Sequence, residues 1–249
     1  MIEKGKIYFV SDIHLGAPAL KNNRERELLF TRWLDEIKDD VAELYLMGDI
    51  FDFWYEYKKV VPRGFTRVLG RIAQLSDRGV PVHFFTGNHD VWMFDYLEEE
   101  LGATVHHEEI ITEINGRKFF LAHGDGLDKS DTGYLFLKRI FTNKPLQWLF
   151  SRLHPNFAFW LAHKWSASSR LSKSDIEPDF MVNQDGIYKF ATDFLKTTRV
   201  DYFVMGHRHQ MVCQKMEGGA TFVLLGDWIN TYSYGVFDGE TFELKKYKG

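Results

Sequence analysis

Five short stretches of this chain carry side chains that bind divalent metal. They are Ser11-Asp12-Ile13-His14, Gly48-Asp49-Ile50-Phe51-Asp52, Gly87-Asn88-His89-Asp90, Ala122-His123-Gly124-Asp125 and Gly206-His207-Arg208-His209. Imidazole nitrogen mixed with carboxylate and amide oxygen suits ions of the Mn, Fe or Zn type. Two such ions about 3.5–4 Å apart can clamp the attacking and leaving oxygens of an in-line displacement at phosphorus. One carboxylate must then bridge them. Soft ligands play no part: Cys213 is the only cysteine and stands outside all five motifs, which argues against a thiolate zinc site and excludes a disulfide within the chain. One Asp-x-His or His-x-His alone is a weak signal, and a lone His is more often core or surface than ligand. His83, His106, His107, His154 and His163 fall outside the motifs and are assigned no metal. The five motifs together are poorly explained by chance.

Each motif follows a short apolar run, where a strand should end. Ile7–Val10, Glu43–Met47 and Val82–Phe85 read as strands, separated by helical patterns over Arg24–Lys38 and Phe65–Ser76. A β-α-β-α-β order implies parallel strands and right-handed crossovers, with ligands gathered at the carboxyl ends of the strands. Asn115-Gly116 then marks a hairpin between Glu109–Glu113 and Lys118–Ala122. A helix is expected over Val182–Lys196, and strands over Tyr202–Met205, Val212–Met216, Thr221–Leu225, Gly235–Phe237 and Phe242–Tyr247. The expected fold is α/β: two packed mixed β-sheets flanked by helices in four layers, one domain over 1–249.

One segment interrupts this pattern. From Thr132 to Ser174 there is no Asp or Glu, against seven Lys and Arg. The segment therefore carries +7 and the rest of the chain −11, although the whole is only −4. It is also rich in aromatics, among them Trp148, Phe150, Phe159, Trp160 and Trp165. Tyr134–Phe141, Pro145–Arg152 and Phe157–Arg170 read as short helices, and Ser166–Ser174 as polar lining or a hinge. We expect 132–174 to be a helical insertion over the active-site edge with an anionic, partly greasy partner. These aromatics could equally pack the segment onto the core, its basic groups forming a solvated face. The N-terminal residues lack a signal-peptide pattern, and no run of about 18 apolar residues occurs. The expected location is cytoplasmic.

The five motifs, in this order, resemble the calcineurin-like metallophosphoesterase superfamily. That resemblance implies one metal held by Asp12, His14, Asp49 and His209, and a second by Asp49, Asn88, His123 and His207, with Asp49 as the bridge. It also implies that His89 contacts the phosphoryl group or leaving oxygen. Asp90 is expected to orient His89, so that Asp49, His89 and Asp90 form the catalytic set. Asp52 is expected to hold a ligand histidine in its tautomer.

A closer resemblance, to the UDP-2,3-diacylglucosamine hydrolases of bacterial lipid A synthesis, rests on Gly48-Asp-Ile-Phe-Asp-Phe-Trp54, on the run His123-Gly-Asp-Gly-Leu-Asp-Lys-Ser-Asp131-Thr-Gly-Tyr134, and on the helical segment ending in Ser and Lys. It implies cleavage of the pyrophosphate bond of UDP-2,3-diacylglucosamine to UMP and 2,3-diacylglucosamine 1-phosphate, two divalent ions of the Mn(II) type, and a lid over two acyl chains. It also implies a peripheral enzyme on the cytoplasmic face of the inner membrane. Asp131, Tyr134, Arg170 and Lys173 are the expected substrate contacts. The expected partners are a lipid nucleotide and an anionic membrane surface, with nucleic acid disfavoured. In that family Arg usually follows the metal-binding Asn, whereas this chain has His89, as in the wider superfamily. A related phosphoesterase acting on another nucleotide-linked or lipid phosphodiester therefore stays open, as does a nuclease. A non-catalytic scaffold is the least favoured, because no ligand position is lost.

Overall fold

The computed structural model of the protein describes residues 5–172 and 180–249, with backbone alone over 165–172. Strands β1 (Lys6–Val10), β2 (Val41–Leu46), β3 (Val82–Phe85) and β4 (Thr104–His106) run parallel, with β10 (Ser233–Phe237) and β11 (Phe242–Lys246) joined antiparallel on the β1 side. The second sheet has the order β5-β6-β7-β9-β8, from Ile110–Ile114, Arg117–Leu121, Tyr202–Met205, Thr221–Leu225 and Met211–Lys215. Both sheets are mixed, as expected.

Period-two alternation explains how these sheets stack. Ile7 and Phe9 face one way and Tyr8 and Val10 the other, because successive side chains leave a strand on opposite faces. Ile7, Phe9, Tyr45, Met47 and Phe85 meet Phe119, Leu121, Tyr202, Val204, Val223 and Leu225 in an apolar layer between the sheets. Tyr8, Val10, Leu44, Leu46 and Phe84 instead pack on α1 (Asn23–Ile37), α2 (Thr66–Asp77) and α3 (Tyr96–Leu101), through Phe30, Trp33, Ile72 and Leu97. On the far side, Phe120, Phe203, Phe222 and Leu224 pack on Ile187 and Ala191 of α7 (Gly186–Leu195). The result is helix, sheet, sheet, helix. Central strands such as β1, β7 and β9 are buried on both faces, which is why their sequences read as unbroken apolar runs.

Some boundaries differ from the sequence reading. The helix expected over Val182–Lys196 begins only at Gly186: Val182–Gln184 is a separate 3-10 turn, and Asp185 caps α7 by accepting from the N–H groups of Ile187 and Tyr188. Helix α3 and strand β4 were not anticipated, and His106 closes β4. Between β6 and β7 stand α4 (Thr132–Phe141), α5 (Lys144–Phe150) and α6 (Pro155–Ser172). Asp131 and Asn143 cap α4 and α5, accepting from Tyr134 N–H and Leu146 N–H. Helix α6 continues through Ser172, so the serine-rich stretch is helical up to that point, and its remainder lies outside the described residues. Among the described residues no helix is long and apolar enough to cross a membrane.

Candidate metal centre

The carboxyl ends of β1, β2 and β3 come together with those of β6 and β7 at one edge of the sandwich. Past the strand ends, the first two motifs run side by side: Asp12 N–H donates to Gly48 O, His14 N–H to Asp49 O and Leu15 N–H to Ile50 O, at 3.1, 3.0 and 2.9 Å. The Arg26 guanidinium, buried on α1, donates to His14 O at 2.8 Å and fixes the first loop from below. His207 N–H donates to Asp12 Oδ2 at 2.9 Å, and Gly206 N–H to His123 O at the same distance, so motifs one, four and five are stitched together.

This crowding demands special backbone. A Cβ on Gly87 would fall on Asp49 Oδ1, and one on Gly206 on Ser11 Oγ. Asp12, His14, Asp49, His207 and His209 all adopt positive φ, between 49 and 69°. They are five of the nine described non-glycine residues that do. Such a conformation costs on the order of 1 kcal/mol or more per residue. The strain falls on the residues expected to hold metal.

The donor atoms converge. His209 Nε2 lies 3.4 Å from Asp12 Oδ1, His14 Nε2 3.8 Å from Asp12 Oδ1, and His14 Nε2 3.7 Å from Asp49 Oδ2. On the other side of the same carboxylate oxygen, His123 Nε2 is 3.4 Å from Asp49 Oδ2. His207 Nδ1 pairs with Asn88 Oδ1 at 3.0 Å, and the His123 and His207 rings stand 5.3 Å apart. Donors bonded to one ion at about 2.0–2.2 Å sit roughly 3–3.6 Å from each other, close to these spacings. Asp49 Oδ2 thus faces an imidazole from each group, and its Oδ1 is spent on His89 N–H at 2.9 Å. Asp12 Oδ1 and His123 Nε2 are buried without a hydrogen-bond partner among the described residues. Buried, unpartnered donor atoms of both kinds fit bound cations.

Electrostatics point the same way. Burial opposes charge here, yet the Asp12 carboxyl is held below its usual range by His209 and His14, and that of Asp49 by His123 and His89. Burial pulls His123 down, but Asp49, helped by Asp12 and Asp125, raises it to about 10. His207 is pushed down to about 3, by burial and then by the His123 charge, which leaves a neutral imidazole with a lone pair to give. A site that raises one histidine so far favours positive charge at its centre.

The supporting contacts set tautomers. His123 Nδ1 meets Met47 O at 2.8 Å, His209 Nδ1 meets Asp227 Oδ2 at 3.3 Å, and His14 Nδ1 lies 3.5 Å from Asp52 Oδ1, so each presents Nε2 inward. The expected role of Asp90 needs correction. Its two oxygens accept from the backbone N–H groups of Gly87, Asp49, Ile50 and Phe51 at 2.8–3.2 Å, so it clamps the second and third motifs instead of the His89 ring. Burial and the Asp49 charge push its carboxyl up to about 7, against the pull of those N–H donors. His89 Nδ1 instead meets Asp52 O at 3.0 Å, with the Asp52 carboxylate 3.6 Å away.

Sequence reasoning missed Asp227, although Gly226-Asp227 follows an apolar strand just as Gly48-Asp49 does. It also missed Asp125 as an anchor: this carboxylate accepts from Tyr134 Oη at 2.5 Å and from Lys138 Nζ at 2.7 Å, tying α4 to the fourth motif. Arg208, between two candidate ligands, pairs with Asp128 at 3.0 Å and Asp185 at 2.7 Å.

Beside the cluster opens a cavity of about 810 Å³. Asp52, Asn88 and His89 lie at its motif end. Its walls include Phe53, Trp92, Leu137, Phe141, Phe150 and Leu161, and its polar lining includes Asp131, Tyr134 and Arg152. Asp131 and Tyr134 are therefore placed at the cavity, although the first also caps α4 and the second also holds Asp125. The Arg170 side chain and Lys173 lie outside the described residues.

The pattern of the calcineurin-like phosphoesterases matches residues 5–211. A UDP-2,3-diacylglucosamine hydrolase of Porphyromonas gingivalis is 40% identical over 97% of this chain and 97% of its own length. Proteins of the same name from Neisseria meningitidis and Histophilus somni are 30% and 28% identical, over 91% and 92% of this chain and 91% and 94% of theirs.

Proposed function

The chain belongs to the calcineurin-like phosphoesterases, hydrolases that use divalent metal, and from that premise we propose that it cleaves the pyrophosphate bond of UDP-2,3-diacylglucosamine to UMP and 2,3-diacylglucosamine 1-phosphate. The observation that carries this reading is the cavity of about 810 Å³, apolar in its walls and open to His89 and Asn88 at one end. A nucleotide diphosphate alone would have no use for such walls, whereas acyl chains gain about 0.8 kcal/mol for each methylene buried there. Relatives of that name at up to 40% identity support it. In this reading the segment 132–174 is a lid inserted in the single domain 1–249, and the enzyme works peripherally at the cytoplasmic face of the inner membrane.

Asp12, His14, Asp49 and His209 would hold one ion, and Asp49, Asn88, His123 and His207 the other, with Mn(II) the metal we propose. Bound there, the ions would supply Lewis-acid activation and charge neutralisation at phosphorus. The residues do the rest. His89, fixed through Nδ1 by Asp52 O, offers Nε2 to the phosphoryl or leaving oxygen. Asp90 holds the backbone that carries Asp49. Asp131, Tyr134, Arg170 and Lys173 are proposed to contact the substrate, and the apolar walls keep water from the reacting end.

The test is UMP release from UDP-2,3-diacylglucosamine with Mn(II), comparing wild type with Asp49→Ala. Release by the wild type and none by the variant is expected. No release by a folded, metal-loaded wild type that still cleaves bis(p-nitrophenyl) phosphate would overturn the substrate. The wider reading, a phosphodiesterase of another lipid or nucleotide, would then start from His89.

A further inference from the structure

Arg208 stands between two candidate ligands, yet its side chain leaves the metal cluster. The turn that carries it is tight: Arg208 N–H donates to Gly206 O at 2.8 Å, and His207 and His209 on either side hold positive φ. The guanidinium reaches two carboxylates at once. Nη2 lies 3.0 Å from Asp128 Oδ2, and Nε 2.7 Å from Asp185 Oδ2. All three side chains are largely shielded, with Arg208 24%, Asp128 21% and Asp185 7% exposed. Salt weakens pairs so placed only a little, and a carboxylate left there alone would be poorly solvated.

The two acids flank the α4–α6 segment. Asp128 stands just before α4, and Asp185 opens α7, the first helix after α6. Each divides its oxygens in the same way. Asp128 Oδ1 accepts from Ser130 N–H at 3.0 Å and from Ser130 Oγ at 2.5 Å, which shapes the turn into Asp131, while Oδ2 faces Arg208. Asp185 Oδ1 accepts from Ile187 N–H at 2.8 Å and Tyr188 N–H at 3.3 Å, while Oδ2 faces Arg208. The loop before α4 also lies against the start of α7: a Cβ on Gly186 would fall 2.0 Å from Asp128 Cγ, so only glycine admits that carboxylate. Two acids drawn to one place repel unless a cation stands between them. Arg208 is that cation, and its planar fork serves both at once.

We propose that Arg208 is a positioning residue that joins both roots of the α4–α6 segment to the fifth motif, so that metal binding at His207 and His209 and the ordered seat of the segment stabilise each other. Coupling of this kind is reciprocal: the factor by which metal favours the seated segment is the factor by which the seated segment favours metal. Asp125 still holds α4 when Arg208 is gone, so the loss is one of alignment, not of the helix. The loop that starts at Asp128 leads to Asp131 and Tyr134 at the cavity, and misalignment there acts on substrate binding before it acts on chemistry. The coupling rests on the proposed metal ligands; it does not need the lipid-nucleotide reading.

The experiment is amide exchange on the full-length protein, chelated and with saturating Mn(II), beside a calorimetric Mn(II) titration. In the wild type, Mn(II) should slow exchange in α4 and the loop before it by about fivefold. In Arg208→Gln that slowing should vanish, and Mn(II) affinity should fall by about the same factor. Asp185→Asn, whose amide oxygen still caps α7, should lose part of the slowing, and Arg208→Lys should recover part of it, because an ammonium is a point charge without the fork. On the lipid nucleotide, Arg208→Gln should raise KM about tenfold and leave kcat within about twofold. Exchange that quickens equally with and without Mn(II) would make Arg208 merely structural and overturns the proposal. So does a variant in which Mn(II) protects α4 as in the wild type, or a wild type that takes up Mn(II) without protecting α4. A wild type that takes up no Mn(II) overturns the metal assignment and the coupling with it. Protection lost in the variant, with no lipid nucleotide turned over by the wild type, supports the coupling and removes the substrate reading alone.

Discussion

Asp52 lies beneath three imidazoles. Its carboxylate is 3.5 Å from His14 Nδ1, 3.6 Å from His89 Nδ1 and 4.0 Å from His163 Nδ1. The first belongs to the candidate metal site, the second faces the cavity, and the third comes from α6. His163 Nδ1 is buried without a hydrogen-bond partner among the described residues. We predict that it positions His89 by its charge or polarity acting on Asp52. His163→Ala should lower kcat on the lipid nucleotide about tenfold with little change in KM, and His163→Asn, which keeps an N–H near Nδ1, should restore most of it. Equal losses in both variants would reduce His163 to packing. Asp227 holds His209 in the same indirect way, and Asp227→Asn should weaken Mn(II) binding by about 10–100-fold in a calorimetric titration. Unchanged affinity would mean that His209 needs no such partner. Neither residue was legible in the sequence as part of the site. His163 stands outside every motif, and only the fold brings it to Asp52. Asp227 did carry a signal, a Gly-Asp at a strand end, but without a second ligand beside it that signal is common.

The elements that place the site were mostly legible, because strands apolar on both faces and long amphipathic helices leave clear periods. What escaped was short or locally decided. Helix α3 has six residues and β4 three, too few for a period to show. The break before α7 hangs on the Asp185 cap, a local contact that competes with an otherwise continuous helical pattern. The α4–α6 segment was legible as helical, but its attachment was not. Besides the Asp125 anchor of α4, two hydrogen bonds tie it to the body: Tyr55 Oη donates to Gln147 O and Trp92 Nε1 to Phe141 O, both at 2.9 Å. Removing the first by Tyr55→Phe should cost about 1 kcal/mol locally. Amide exchange in α5 should then quicken about fivefold while the sheet amides keep their rates. Equal quickening throughout would show that the segment opens only with the whole fold.

At the scale of the molecule, metal and fold are linked. The proposed ligands sit on five strand ends from two sheets, and most adopt a left-handed backbone that the fold must hold in place. An ion that binds only this arrangement adds about 2.7 kcal/mol at a hundred times its Kd. At about 2–4 °C per kcal/mol for a chain of this size, chelation should lower Tm by roughly 5–10 °C. The pH dependence follows from His123. Its folded pKa is raised from 6.5 to about 10 by Asp49 despite burial. In the metal-free protein its charge therefore contributes stability that is complete below 6.5 and is lost as pH rises through about 10. Metal requires the same imidazole to be neutral, so its affinity rises over the same range. Both are the same proton seen from two sides, so it enters the difference once, and the Tm gap between metal-loaded and chelated protein should widen steadily from pH 6.5 to about 9. The scans should be made in one buffer series at fixed free Mn(II). A gap that stays constant across that range would mean that His123 is outside the metal site or that Asp49 does not hold its charge when the metal is gone.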